Sequence, residues 1–374
     1  MKLLVDARTL GKQPSGVGMY LYNFICGLMQ YETIQIEVIT DVAQSAEMKK
    51  LDEAHIPIHG YGKIVEKSVG VYAYFHFVQR VIHEVKPDIF WEGNNLMPIV
   101  MKNPYGRIVT TVYDVFPLTA PDGYGRIYPW YFKWNLGKTL RSVDAVIYDS
   151  RDAQTEVERY FPVAKGRTSY VSYIITENMP ELPVTDDDYF LYIGNLEKRK
   201  GTDLLLNAYA RYWKEGGRKK LYLAGKIRSE EIDHLLKKCS AEIEGVCYKG
   251  YLEPEDKYKM YAACSAFVFP SRAEGFGMPV VEALAYDKEV IVTDLQIFRE
   301  IAEDAVCCCK MSENIEATIE NITRAMHEVD HNRPDAETEK IKSNRRREIV
   351  ERYRKERLAQ GMRDFFEKVM KTGE

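Results

Sequence analysis

Residues 264–282 read CSAFVFPSRAEGFGMPVVE, and the architecture turns on this stretch. Ala266, Phe267, Val268 and Phe269 form a short apolar run closed by Pro270 and Ser271. A run of that length between turn residues is the pattern of a strand buried on both faces of a parallel sheet. Glu274-Gly275-Phe276-Gly277 follows, then Pro279, a residue favoured at the start of a helix. Val280, Val281, Ala283, Leu284 and Ala285 continue as a buried helix. The order is therefore strand, glycine-rich loop, helix N-terminus. Such a terminus has unbonded N–H groups and the positive end of the helix dipole, so it attracts anions. The glycines let a ligand come close to the backbone. Two acids sit in the same stretch: Glu274 in the loop and Glu282 in the first helical turn. Carboxylates repel phosphate but accept hydrogen bonds from hydroxyls, so the combination suits a sugar joined to a nucleoside diphosphate. A plainer reading is a generic strand–turn–helix in which Glu282 only complements the dipole.

The pattern PSxxEGFGxPxxEAxA, with Glu274 and Glu282 eight positions apart, resembles the signature of retaining nucleotide-sugar glycosyltransferases of the GT-B fold, in particular glycosyltransferase family 4. The resemblance implies that Glu274 contacts the donor sugar and that Glu282 holds the ribose. It places the diphosphate on the loop Gly275, Phe276, Gly277 and on the helix start at Met278 and Pro279.

The 374 residues predict two or three domains, and 45% hydrophobic with 29% charged residues is ordinary for a globular chain. A net charge of −4 speaks against a nucleic-acid partner. No apolar stretch is long enough to span a bilayer. Asp6 and Arg8 interrupt the N-terminus where a signal peptide needs its apolar core, so the expected place is the cytoplasm, including the inner face of the membrane. The seven cysteines include the run Cys307-Cys308-Cys309 and no CxxC. They read as buried free thiols in a reducing compartment; a zinc site is the weaker alternative, because no histidines cluster with them.

Along the chain, KLLVD at 2–6 reads as a first strand, followed by a polar loop and a helix opening at Met19. The segment Ser15-Gly16-Val17-Gly18-Met19-Tyr20 resembles the family's GGxGxY loop beside the donor diphosphate, which makes Gly16 and Gly18 donor-site candidates. Further strands are expected at 34–40, 88–91, 107–113 and 144–149, with a helix over 72–85. Alternation of strands and helices implies a parallel, doubly wound sheet. Tyr113-Asp114 ends one strand where relatives often carry His-Asp, so the role of that imidazole is absent here. Asp114 either faces the acceptor or sugar or caps a turn. Residues 123–134, GYGRIYPWYFKW, are dense in aromatics with Arg126 and Lys133 interleaved, and Pro129 rules out a simple uninterrupted helix. They read as an acceptor or membrane-interface platform, or as an aromatic core.

The polar, acidic stretch 174–188 reads as a linker. The expected domains are 1–175, binding acceptor, 176–355, binding nucleotide sugar, and a last helix 356–374 that returns to the first domain. A second doubly wound unit starts with the strand 189–193, and strands are expected again at 221–224, 246–249, 289–293 and 305–309. The loop Gly194-Asn195-Leu196-Glu197-Lys198-Arg199-Lys200-Gly201 resembles the family's GxLxxxKG loop that neutralises the diphosphate. Many relatives have Arg in the slot of Asn195, so that role moves to Arg199, with Lys200 as a point charge. The LEKRK form lies nearest to mannosyltransferase-like members. Lys226, Tyr251 and Leu252 fall in the loops that hold the base in the family. Residues 285–290 lack the family's Gly-x-Pro turn, whereas Phe298-Arg299-Glu300-Ile301 resembles its REI segment. Arg345-Arg346-Arg347 reads as a solvated face.

The resemblance thus implies α/β architecture of GT-B type, two Rossmann-like domains facing across a cleft. It implies transfer with retention, without metal or cofactor, from a nucleotide-diphosphate sugar (GDP-mannose or a UDP-sugar) to a saccharide or lipid-linked saccharide in surface polysaccharide synthesis. The alternative is a non-catalytic nucleotide-sugar-binding or scaffold protein on the same fold. A nicotinamide dehydrogenase is disfavoured, because the first loop lacks GxGxxG.

Overall fold

A computed structural model of the protein describes residues 1–14, 16–65, 68–120, 125–174, 179–332 and 334–372. The chain divides into two units, Met1–Glu177 with Arg354–Glu374, and Asn178–Tyr353. Each unit is built on one parallel sheet.

The first sheet contains β1 (Lys2–Asp6), β2 (Gln35–Thr40), β3 (Ile58–Gly60), β4 (Ile89–Glu92), β5 (Arg107–Val112), β6 (Ala145–Tyr148) and β7 (Thr168–Val171). Its order is β3-β2-β1-β4-β5-β6-β7, with every pairing parallel. Helices cover both faces, so the central strands are apolar throughout; all four residues of β4 are buried. The second sheet contains β8 (Tyr189–Ile193), β9 (Lys220–Ala224), β10 (Val246–Tyr248), β11 (Ala266–Phe269), β12 (Glu289–Thr293) and β13 (Cys307–Cys309), in the parallel order β10-β9-β8-β11-β12-β13. Both are doubly wound Rossmann-like sheets. In each, the winding reverses once: between β1 and β4 in the first, between β8 and β11 in the second. Loops leaving the C-terminal ends of those neighbours splay apart and form the crevice where ligands bind in such sheets.

The last helix, Lys355–Lys371, packs within the first unit. Phe366 meets Trp91 at 5.5 Å between ring centroids, and Phe365 stacks on Tyr170 at 5.3 Å. A Cβ on Gly27 would lie 2.7 Å from the Ala359 methyl carbon, so the two helices approach through a glycine.

Several expectations are corrected. The first helix runs Gly16–Leu28, so Gly16 and Gly18 lie in its first turn rather than in the loop before it. Ser15, Gly123, Tyr124 and residues 175–178 of the expected linker lie outside the described residues. Pro129 opens the helix Tyr128–Ser142 instead of interrupting it, since a proline in the first turn removes no helical hydrogen bond. The strands β3 and β7 were not anticipated. The charged tail is two helices, Ala336–Glu351 and Lys355–Lys371, that end and begin around Tyr353. Cys308 is exposed on β13, so the thiols are free but not all buried.

Arg346 is no solvated residue: its side chain is 2% exposed and pairs with Asp287, Glu289 and Glu339. This explains the missing Gly-x-Pro turn. Asp287 adopts φ +57° without being glycine, and its carboxylate is held by Arg346 at 2.9 Å and by the Ser343 hydroxyl at 2.6 Å.

Candidate active site

At the β8–β11 reversal, a cation from one loop meets an acid from the other. β8 ends at Ile193 and leads through Gly194–Leu196 into a short 3-10 turn, Lys198–Lys200. Gly201 then turns the chain into the helix Thr202–Lys214 with φ +67°. A Cβ there would lie 1.8 Å from the Pro270 carbonyl oxygen, so only glycine allows the two loops to touch. The Arg272 amide donates to the Arg199 carbonyl at 2.8 Å, and the Arg272 guanidinium grips Asp203 with two bonds of 2.7 Å. These contacts fix one loop against the other.

The Lys200 ammonium thereby reaches both oxygens of Glu274, at 2.5 and 2.7 Å. The Ser271 hydroxyl donates to the same carboxylate at 2.7 Å. The Glu274 side chain is 6% exposed and that of Lys200 16%. Lys200 also sits 5.4 Å above the Phe269 ring. Arg199 stands beside them, donating to the Ala273 carbonyl at 3.0 Å and to Glu197 at 2.8 Å.

The loop continues through Gly275 and Phe276 to Gly277, whose φ of +96° caps the helix Met278–Ala285. Phe276 turns its ring inward against Tyr353, so it offers only backbone. Pro279 has no N–H, and the Val280 amide bonds to the Gly277 carbonyl. The Met278 amide has no partner among the described residues and is the donor this helix end presents. Glu282 lies one turn in, bonded to Lys257 at 2.8 Å. Asn195 is exposed, its carbonyl taken by the Tyr192 hydroxyl at 2.8 Å. Lys226 lies 5.2 Å from the Tyr251 ring, which is exposed, and Leu252 is half-buried. The structure therefore brings Glu274, Lys200, Arg199 and residues 275–279 together, puts Asn195 on the same β8 loop as Lys200, and puts Lys226, Tyr251 and Leu252 on neighbouring loops of the same sheet edge.

In the first unit, the Asp114 carboxylate accepts from the Phe116 amide at 3.0 Å, so it does cap the turn after β5. Tyr113 is buried and donates its hydroxyl to the Gly93 carbonyl at 3.1 Å. Gly18 is required by packing, since a Cβ there would lie 2.4 Å from the Thr9 carbonyl oxygen, whereas Gly16 faces open space.

Sequence reading missed a buried charge cluster at the β1–β4 reversal. Asp6 and Glu92 are the last residues of paired strands, in register with each other. Arg8 follows β1, and its guanidinium lies 3.3 Å from Asp6 and 3.5 Å from Glu92. Tyr74 donates to Asp6 at 2.7 Å and Thr110 to Glu92 at 2.6 Å. Burial pushes the Glu92 carboxyl up to about 7, against the pull of Arg8, and raises Asp6 as well. The available signal was an acid closing each of two apolar runs, KLLVD and DIFWE. Among the described residues, no three His, Cys, Asp or Glu side chains gather as a metal site.

Residues 175–347 match the model of the glycosyl transferases group 1, and residues 14–173 that of Glycosyltransferase Family 4. The chain is 29% identical over 213 residues to O-antigen chain mannosyltransferase B of Escherichia coli, covering 53% of this chain and 56% of that one. It is 26% identical over 282 residues to the serotype-specific mannosyltransferase WbdA of Escherichia coli, covering 67% and 33%. The chain thus spans about half the length of the first relative and a third of the second. The crystal structure of Anabaena HepE in complex with UDP and glucose shares the fold, with a TM-score of 0.71 at 18% identity, over 98% of this chain and 100% of that one.

Proposed function

Because the chain belongs to the GT-B glycosyltransferases, carrying both the group 1 and the family 4 domain, we propose that it moves a hexose from a nucleotide-diphosphate sugar to a saccharide or lipid-linked saccharide in surface polysaccharide synthesis. The observation that carries this reading is the Lys200–Glu274 pair beside Arg199 and the helix end at Met278. A sugar diphosphate needs a hydroxyl acceptor within one sugar's length of a phosphate-neutralising group, and this loop pair supplies both. On this reading Arg199, Lys200 and the Met278 amide stabilise charge as the diphosphate departs. Glu274 accepts from donor-sugar hydroxyls and Glu282 from the ribose. The diphosphate is neutralised by cationic side chains without metal or cofactor. Retention follows from attack on the face the diphosphate leaves.

The mannosyltransferase relatives and the LEKRK loop favour GDP-mannose as donor over a UDP-sugar. A lipid-linked acceptor, met at the inner face of a membrane, is supported by the helix Tyr128–Ser142. Just before it and along it, Ile127, Trp130 and Trp134 are 82%, 78% and 56% exposed, with Lys133 between the two tryptophans and Arg126 and Lys138 flanking the group. Apolar rings among cations suit an anionic lipid surface. Among the described residues no helix is long and apolar enough to cross a membrane.

The test is release of nucleoside diphosphate from GDP-mannose and UDP-sugars in the presence of lipid-linked acceptor. Turnover by the parent and its loss in Glu274→Gln support the reading. Equal turnover in the variant would remove Glu274 from the chemistry.

A further inference from the structure

Two thiols lie side by side at the edge of the second sheet. β13 pairs only with β12 among the described residues, so its outer side is free to bend. Alternate residues of a strand share a face, so Cys307 and Cys309 point one way and Cys308 the other. On that face the Cys309 sulfur lies 3.6 Å from the Asn321 carbonyl of the helix Ile315–His331, and Cys307 is half-buried in the wall of two cavities of about 700 and 310 Å³. A hydrogen bond between the two thiols holds Cys307 below the usual thiol range and raises Cys309; Glu328 and Glu289 oppose the lowering and Lys342 assists it. Burial raises Cys308. Of the three, Cys307 is thus the one drawn toward the thiolate, and a second thiol touches it. That is the arrangement of a reactive and a resolving cysteine. A line of contacts leads from here to the donor loop. Cys309 is in register with Thr293 of β12, and the Asp294 amide donates to the Cys309 carbonyl at 3.0 Å. The buried Thr293 hydroxyl donates to the Ser271 carbonyl, and the Ser271 hydroxyl donates to Glu274 at 2.7 Å.

We propose that Cys307 and Cys309 are a site of oxidation by peroxide, closing to a disulfide that loosens the loop from Ser271 to Glu274. The effect on nucleotide binding rests on the transferase reading; the bridge itself does not. The Cys307 thiolate attacks one peroxide oxygen, the O–O bond breaks, and the released hydroxide takes a proton to leave as water. The sulfenic acid so formed on Cys307 is attacked by the Cys309 sulfur. The S–S bond forms as the S–O bond breaks, and a second water leaves with the Cys309 proton. Two thiols are oxidised by two electrons and the peroxide is reduced to two waters. At about 3.3 Å per residue, the two Cα atoms of an extended strand stand about 6.6 Å apart, near the long end of what a disulfide spans. Closure therefore draws them together by about 1 Å and bends β13 at its bond to Asp294. The displacement passes through Thr293 to Ser271. A bridge formed at the limit of its span is readily reduced, which makes the step reversible.

The experiment treats the full chain with hydrogen peroxide, alongside Cys307→Ser, Cys308→Ser and Cys309→Ser variants of unchanged circular dichroism. Peptide mass after alkylation of the unfolded chain reads the bridge, as two hydrogens lost from the peptide that carries residues 307–309. Hydrogen exchange reads the loop at residues 271–277 without any ligand, and titration with GDP and UDP reads the donor site. The parent and Cys308→Ser are expected to form the bridge, with loop exchange about tenfold faster and the bound diphosphate about tenfold weaker. Dithiothreitol should reverse both changes, and Cys307→Ser and Cys309→Ser should show neither. No bridge, a bridge that needs Cys308, unchanged loop exchange, unchanged affinity for a diphosphate that binds, or the same changes in Cys307→Ser would overturn the proposal. A bridge that speeds loop exchange in a protein binding neither diphosphate would keep the oxidation site and remove the transferase reading.

Discussion

Removing the Lys200 ammonium strands a carboxylate that the fold has taken out of water. Glu274 is 6% exposed and receives two short bonds from Lys200, at 2.5 and 2.7 Å. Breaking a buried ion pair by deleting one partner costs about 3–5 kcal/mol. The Ser271 hydroxyl remains at 2.7 Å. That remaining bond sets the expectation for Lys200→Ala at the lower end of the range, about 3 kcal/mol. A unit the size of Asn178–Tyr353 loses about 2–4 °C of Tm per kcal/mol, so its transition should fall by roughly 6–12 °C. Adding Glu274→Gln replaces the stranded charge by a neutral amide, and the double variant should recover about 2 kcal/mol. Thermal and urea unfolding followed by far-UV circular dichroism measure both values. A single variant within about 0.5 kcal/mol of the parent, or a double variant no more stable than the single, would refute the buried-pair argument.

Three further outcomes follow from other places in the molecule. Gly201→Ala should destabilise by at least about 2 kcal/mol, because it combines φ +67° with a Cβ 1.8 Å from the Pro270 oxygen; unfolding at the parent's midpoint would show that the loops do not touch. Glu92 is an ordinary carboxylate when unfolded, from 4.5, and is pushed up to about 7 when folded, so the folded state holds the extra proton. Its stabilising contribution is present at low pH and is lost as pH rises between those values. The advantage of Glu92→Gln over the parent should therefore grow by up to about 3 kcal/mol from about pH 5 to about pH 8, and a constant difference in urea midpoints would contradict this. Trp130→Ser with Trp134→Ser should reduce co-flotation with vesicles containing anionic lipid at least about tenfold, each ring having apolar area to bury; undiminished flotation would rule out this face.

The glycine-rich loop was legible because its signal is local: two glycines, a proline and two acids within a few residues of one apolar run. Lys200 was also read as belonging to the donor site, but its direct pairing with Glu274 was not, since the two are 74 positions apart and meet only because β8 and β11 are neighbours. The same holds for Asp6 and Glu92, which look like ordinary strand ends until the two strands pair in register. The edge strands β3 and β7 are short and nowhere fully buried, which leaves little hydrophobic pattern to read. Arg346 illustrates the reverse failure. A run of three arginines has the composition of a solvated face, but the acids of the Asp287 turn and of β12 draw the middle one inside.

The central claim is that the β8–β11 reversal holds a nucleoside diphosphate. The direct measurement is a thermal-shift series with GDP, UDP and ADP on the parent and on Lys200→Ala. At about a hundred times its dissociation constant, a bound diphosphate stabilises the parent by about 2.7 kcal/mol, and its shift should be absent or much smaller in the variant. A parent unmoved by any of the three, or a variant that responds as strongly as the parent, would contradict it.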